Sequence, residues 1–206
     1  MTDLAELLAL PGVEERCVLA GPLGFLAFHG GLEGGTETVA EEAAAASGAS
    51  LYAVVQPPTV RWHLPSHVVG ARPSPALRSF LDHVEVGIAI HGYGRPGRPR
   101  DVLVGGAQRE LARSLGSVLR RHLPDFVIID DLDQLPREVR GLHPDNPVNR
   151  CRAGGVQLEL PPLVRGASGR WVDANTGCAP LPALIDALVE VARAHQSTSN
   201  EPPARQ

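Results

Sequence analysis

Short apolar runs that alternate with longer Ala-, Leu-, Glu- and Arg-rich stretches narrow the possible folds of this chain more than any other feature. Gly24 to Phe28, Leu51 to Val55, Val84 to Ile90, Asp101 to Gly105, Phe126 to Ile129 and Gly155 to Leu160 have the length and composition of strands. Between them, Leu4 to Leu10, Glu37 to Ser47, Pro73 to His83, Gln108 to His122 and Leu181 to His195 carry helical patterning, with Gly48 as a stop for the second. Strands separated by helices pair through crossovers rather than hairpins, so the pattern predicts an α/β fold, an open mixed sheet flanked by helices. The apolar end of Val84 to Ile90 suits a buried central strand. A chain of 206 residues with 43% hydrophobic content fits one domain, expected over residues 1–195, with the polar stretch Gln196 to Gln206 expected to be a disordered tail.

Composition removes several classes of function. The first residues, Met1 to Glu6, are acidic where a secretory signal is basic, and no apolar run approaches the roughly 18 residues of a membrane span, which predicts a cytoplasmic protein. The net charge of −4 carries no strong nucleic-acid or membrane signal. All 19 basic residues are Arg, and the guanidinium fork suits carboxylate recognition. Cys17, Cys151 and Cys178 are widely spaced, with no CxxC pair, and read as small apolar side chains.

The segment Ala27-Phe28-His29-Gly30-Gly31-Leu32-Glu33-Gly34-Gly35-Thr36-Glu37 delivers a histidine from an apolar strand into a glycine-rich loop with a carboxylate nearby. Glycines let the chain fold back so that His29 and Glu33 reach one point. Ile88-Ala89-Ile90-His91-Gly92-Tyr93 repeats the order of apolar strand, His and Gly. Strand ends on one edge of an α/β sheet form its binding crevice, so His29, Glu33 and His91 make a candidate two-His, one-carboxylate zinc site with an open position. Glu159 stands in the otherwise apolar strand Gly155 to Leu160; it is either salt-bridged or at an exposed edge, or it is a base beside the metal.

These segments, with Trp62-His63-Leu64-Pro65-Ser66 and with Asn149-Arg150 ahead of Gly155-Val156-Gln157-Leu158-Glu159-Leu160, resemble the poly-γ-glutamate hydrolases of bacteria and their phages, which are similar to zinc carboxypeptidases. The resemblance covers Val18 to Arg165. It implies a zinc carboxypeptidase-like fold, Zn2+ held by His29, Glu33 and His91, Glu159 as the carboxylate that activates water, and Asn149 and Arg150 as the grip on a substrate carboxylate. Arg150 is also a candidate to steady the oxyanion. His63 and Tyr93 fall in its motifs as candidate cleft and substrate-orienting residues. The implied reaction is hydrolysis of γ-glutamyl or similar carboxylate-rich amide bonds in an anionic peptide or polymer. The same metal chemistry would serve a deacylase of N-acyl amino acids or of aminoacyl-tRNA, and a non-catalytic, metal-binding, phage-associated protein is the third reading.

The loop from His29 to Glu33 is one residue shorter than the family's His-Gly-Gly-Gly-Ile-Glu form, which leaves Glu37 as a second candidate ligand. Arg95, Arg98 and Arg100 form a basic loop, read either as a solvated charge run or as a track for a polyanion. Asp130, Asp131 and Asp133 read as a turn and cap. His67, His83, His122, His143 and His195 are assigned to surface or packing.

Overall fold

A computed structural model describes residues 3–95, 97–167 and 179–199. Strands β1 (Glu14–Val18), β2 (Leu23–Gly30), β3 (Ser50–Val55), β4 (Val86–Gly92), β5 (Asp101–Gly105), β6 (Val127–Ile129) and β7 (Gly155–Leu160) form one sheet in the order β1-β3-β2-β4-β7-β5-β6. The central strands β3, β2, β4 and β7 run parallel, while β1 pairs antiparallel with β3 and β5 pairs antiparallel with β7. The expected mixed α/β sheet is therefore present.

Helices α1 (Leu4–Leu8), α2 (Thr36–Ser47), α3 (Ser66–Ala71), α4 (Pro75–His83), α5 (Arg109–His122) and α6 (Pro182–Ser199) cover both faces. Alternation along the central strands feeds two cores. Phe25, Ala27, Ile88 and Ile90 pack with α2, α5 and α6, whereas Leu26, Phe28, Tyr52 and Ala89 pack with α1, α3 and α4. In α4 the cause is local: Ser74 caps the helix by accepting from Leu77 N at 3.0 Å, Pro75 opens it, and Leu77, Phe80 and Leu81 line one face.

The chain passes from β2 outward to β3 through α2, then returns to the other side of β2 to form β4, through α3 and α4 on the opposite face. The carboxyl ends of β2 and β4 thus flank a switch point, where open α/β sheets place their crevice.

Several boundaries differ from the sequence expectation. Both histidines lie one residue inside their strands, before Gly30 and Gly92, rather than terminating them. The helix expected from Pro73 begins at Pro75, because Ser74 takes the cap. Edge strand β1 and helix α3 were not foreseen: Glu14-Glu15-Arg16 is too charged to read as a strand, a composition that suits a sheet edge, and α3 is short and contains Gly70. Helix α6 runs to Ser199, so Gln196 to Ser199 are helical rather than part of a tail, and residues 200–206 lie outside the described residues, as does Cys178.

Candidate metal centre

Three adjacent parallel strands supply the site. His29 comes from β2, His91 from β4 and Glu159 from β7, where His91 and Glu159 are register partners. Simple alternation would send Phe28 and His29 to opposite faces. Between the pairs Ala27↔Ala53 and Gly30↔Val55, however, β2 spends one residue more than β3. This bulge re-aims His29. Its ring centroid lies 5.1 Å from that of His91 and 4.4 Å from that of His63, on the face that carries Phe28.

The loop after His29 folds back tightly, with the amides of Leu32 and Glu33 donating to the His29 carbonyl at 3.1 and 2.8 Å. Gly31 makes the turn at φ +72°, and a Cβ there would stand 2.1 Å from the Gln56 carbonyl oxygen. Gln56 is itself buried and clamps Trp62, accepting from its amide at 2.9 Å and donating to its carbonyl at 2.8 Å. One glutamine thereby holds the His63 segment beside the His29 loop.

Glu33 sits at the centre. Its Oε1 lies 2.9 Å from His29 Nδ1 and 3.9 Å from His63 Nε2, and its Oε2 lies 3.6 Å from His91 Nδ1 while accepting from Gly92 N at 2.8 Å. The tightest metal-ligating group among the described residues is His29, Glu33 and His63, with donor atoms within 4.8 Å of one another. His91 approaches the same carboxylate from its other oxygen. Glu37, the alternative candidate, stands in the first turn of α2 and does not line the cleft, whereas Glu33 does.

The donor set fits a metal ion. His29 Nε2 meets the Leu64 carbonyl at 2.8 Å, which requires that nitrogen to carry a proton and leaves Nδ1 with its lone pair in the neutral ring. Nδ1 is buried, makes no hydrogen bond, and faces a carboxylate oxygen that is also an acceptor. Two acceptors at this distance repel unless a proton or a cation joins them. Metal-bound histidines characteristically donate their other N–H to a carbonyl, as here. His91 shows a similar arrangement, with Nε2 3.5 Å from Ser66 Oγ and Nδ1 towards Glu33.

Charges respond accordingly. Burial opposes a charge on Glu33, but pairing with His29 and then His91 more than reverses this and holds the carboxyl well below its ordinary range. Burial likewise opposes the imidazolium of His29, and Glu33 overrides it, raising His29. Burial, followed by the charge of His29, lowers His63.

Glu159 is 7% exposed, and burial pushes its carboxyl up to about 7, partly opposed by His91. Its Oε1 accepts from Gln157 Nε2 at 2.9 Å, and Gln157 Oε1 accepts from Asn146 Nδ2 at 2.7 Å. Glu159 is therefore neither salt-bridged to an arginine nor at an exposed edge.

A cleft of about 1400 Å3 opens over these groups. His29, Glu33, His63, His91, Tyr93 and Glu159 line it, with Arg61, Arg95, Arg98 and Arg137 at its walls. Of the foreseen basic loop, Arg100 turns away and stacks 5.8 Å from the Phe126 ring. His67 and His143 pair at the cleft mouth with rings 4.7 Å apart. The Tyr93 hydroxyl donates to the Asp101 carbonyl at 2.5 Å, so it fastens its own loop.

Asn149 and Arg150 stand elsewhere. Neither lines the cleft: Asn149 ties Ala107 N to the Gly141 carbonyl, and exposed Arg150 donates to the Gly70 carbonyl. Both precede β7, whereas the histidines stand at the carboxyl ends of the parallel strands, on the order of 15 Å away along the strand. The guanidinium at the site itself belongs to Arg165, which no local sequence pattern marks; its position after the last central strand was the one available signal.

Fold and site together define an α/β protein whose sheet gathers imidazoles and carboxylates of the kind that can hold a metal ion at a switch-point crevice. The chain belongs to the poly-γ-glutamate hydrolase family, whose sequence profile matches residues 9–169. Among solved structures it is similar to a bacteriophage poly-γ-glutamate hydrolase, with 24% identity and a TM-score of 0.72 over 95% of this chain and 94% of that one. It is similar also to YndL in a zinc-free apo form, with 21% identity and a TM-score of 0.73 over 98% of each chain. A gene product of Agrobacterium tumefaciens shares 12% identity with a TM-score of 0.52, over 92% of this chain and 94% of that one. These likenesses show a common fold along the full described length. No curated protein matches the chain. Among the described residues no helix is long and apolar enough to cross a membrane.

Proposed function

We propose that this member of a hydrolase family is a zinc-dependent enzyme that cuts γ-glutamyl amide bonds in poly-γ-glutamate or a similar carboxylate-rich polymer. The observation that carries the reading is the convergence of three imidazoles on one carboxylate, with Glu33 Oε1 2.9 Å from His29 Nδ1 and 3.9 Å from His63 Nε2, and Oε2 3.6 Å from His91 Nδ1. The zinc named for the apo form of YndL and the substrate named for the phage hydrolase supply the choice of metal and polymer.

His29, Glu33 and His91 would hold the ion. The two histidines are buried and their outer nitrogens meet Leu64 and Ser66, which leaves Nδ1 of each towards Glu33. His63, with its side chain 60% exposed, serves the rim. Bound zinc supplies Lewis acidity and lowers the pKa of water towards about 7. Glu159 takes the proton from the attacking water at Oε2, since Gln157 holds Oε1, and returns it to the departing nitrogen. The wall arginines attract the polyanion.

The test is incubation of the zinc-loaded protein with poly-γ-glutamate and, separately, with N-acyl amino acids, following new primary amines. Amines from the polymer at a rate well above that from acyl amino acids support the reading. Turnover confined to acyl amino acids would transfer the site to a deacylase.

A further inference from the structure

Arg165 is 5% exposed, yet every acceptor it meets is a backbone carbonyl. Its Nε donates to Leu160 O at 3.2 Å, and Nη1 donates to Glu33 O at 2.7 Å and to Gly34 O. These bonds tie the strand that carries Glu159 to the loop that carries Glu33. The charge is balanced through space by Glu33, Glu37 and Glu159, with no direct bond to any of them. The carboxylate of Glu33 is directed at His29, His91 and Gly92 N, and that of Glu159 at Gln157. A buried guanidinium without a direct counter-ion costs more than an apolar side chain of similar volume would.

The plane of this guanidinium lies against Gly92, where a Cβ would stand 2.7 Å from Arg165 Cζ, so it is set into the wall beside His91. Nη2, the remaining nitrogen, makes no hydrogen bond among the described residues, and Arg165 lines the cleft. The other cleft arginines differ in kind. Arg95 and Arg98 are about two-fifths exposed and already paired, with Glu138 and Asp101. A fixed guanidinium with one nitrogen turned to the cleft, beside His91 and Glu33, suits an anionic group that the substrate carries throughout binding.

We propose that Arg165 is a specificity-determining residue that receives, through Nη2, the free carboxylate flanking the scissile amide of the substrate. This rests on the hydrolytic reading above. Recognition of a permanent carboxylate predicts discrimination between substrates rather than a uniform loss of rate.

The experiment compares γ-linked glutamate oligomers carrying free α-carboxylates with the same oligomers as neutral α-carboxamides, on the zinc-loaded protein, Arg165→Met and Arg165→Lys. The native protein is expected to favour the free acid by about 30-fold or more in kcat/KM. Arg165→Met should lose that preference, its kcat/KM falling by far more on the free acid than on the carboxamide, and Arg165→Lys should retain part of the preference. Equal slowing on both substrates, or no preference in the native protein, overturns the assignment and leaves Arg165 as a structural tie. If Arg165→Met does not fold, the lysine variant carries the comparison. Should the native protein cleave neither oligomer, the hydrolytic reading fails, and calorimetric binding of the two oligomers still decides the assignment: a free-acid preference lost in the variant supports it, and equal affinities overturn it.

Discussion

His91 and Glu159 stand side by side as register partners on the adjacent parallel strands β4 and β7. The pairing fixes a candidate metal ligand and a candidate base on one rigid surface, so their separation is set by strand geometry rather than by loop conformation. Strand-borne sites hold catalytic geometry better than loop-borne ones. Glu33 is the exception, reaching the same point from a glycine turn.

Removal of either buried histidine should therefore cost more zinc affinity than removal of the exposed one. His29→Ala and His91→Ala are expected to weaken binding by about 100-fold or more, and His63→Ala by less than about 10-fold. Calorimetric titration of chelator-stripped protein measures all three. Retention of full affinity in His91→Ala, with loss in His63→Ala, would transfer the third ligand to the group that closes tightest in this geometry.

Glu159→Gln should keep stoichiometric zinc and lose roughly 100- to 10000-fold in kcat. The same variant has a stability signature in the metal-free protein. A carboxyl whose folded pKa is raised to about 7 binds more protons folded than unfolded between about 4.5 and about 7, so its ionisation penalises the fold progressively over that window and fully above it. Urea unfolding should show Glu159→Gln more stable than the native protein by up to roughly 3 kcal/mol near about pH 8 and no different near about pH 4. Equal stability at both values would mean that Glu159 is not held in an environment that resists its charge.

Gly31→Ala places a side chain at positive φ against the Gln56 carbonyl. A loss of roughly 1–3 kcal/mol is expected, together with weaker zinc binding, because the turn that aims Glu33 must open. Thermal melts with and without zinc report both effects; an unchanged zinc-induced rise in melting temperature would show that Glu33 does not depend on this turn.

Arg150→Ala should leave kcat/KM within about 2-fold of the native value, as expected for an exposed side chain remote from the cleft. Steady-state hydrolysis of poly-γ-glutamate measures it. A fall comparable to that of Glu159→Gln would restore the role the sequence resemblance implied.

What the sequence conveyed, and what it did not, follows from the range of the interactions. Strand composition and the repeated order of apolar run, His and Gly marked His29 and His91, because both signals are local. The bulge that turns His29 onto the face of His91 is a mismatch between β2 and β3 and leaves no trace in either strand alone. The choice between Glu33 and Glu37 depended on how a shortened loop folds, which the Gln56 carbonyl settles from 25 residues further along the chain. Asn149 and Arg150 were placed by the resemblance; their position ahead of β7 is in the sequence, but the parallel run of β7 with β4, which sets that amino end away from the histidines, is not. Arg165 acquires its position from carbonyls of Glu33 and Gly34, far away in sequence, so no pattern around it carries the information.

The central claim concerns a cation between His29 and Glu33 that makes the site hydrolytic. Its most direct test is the release of primary amines from poly-γ-glutamate by chelator-stripped protein titrated with zinc. The account predicts negligible release without metal and activity that rises to a plateau at one equivalent. Hydrolysis undiminished by complete removal of metal, or none from a protein shown to bind one zinc, would contradict it.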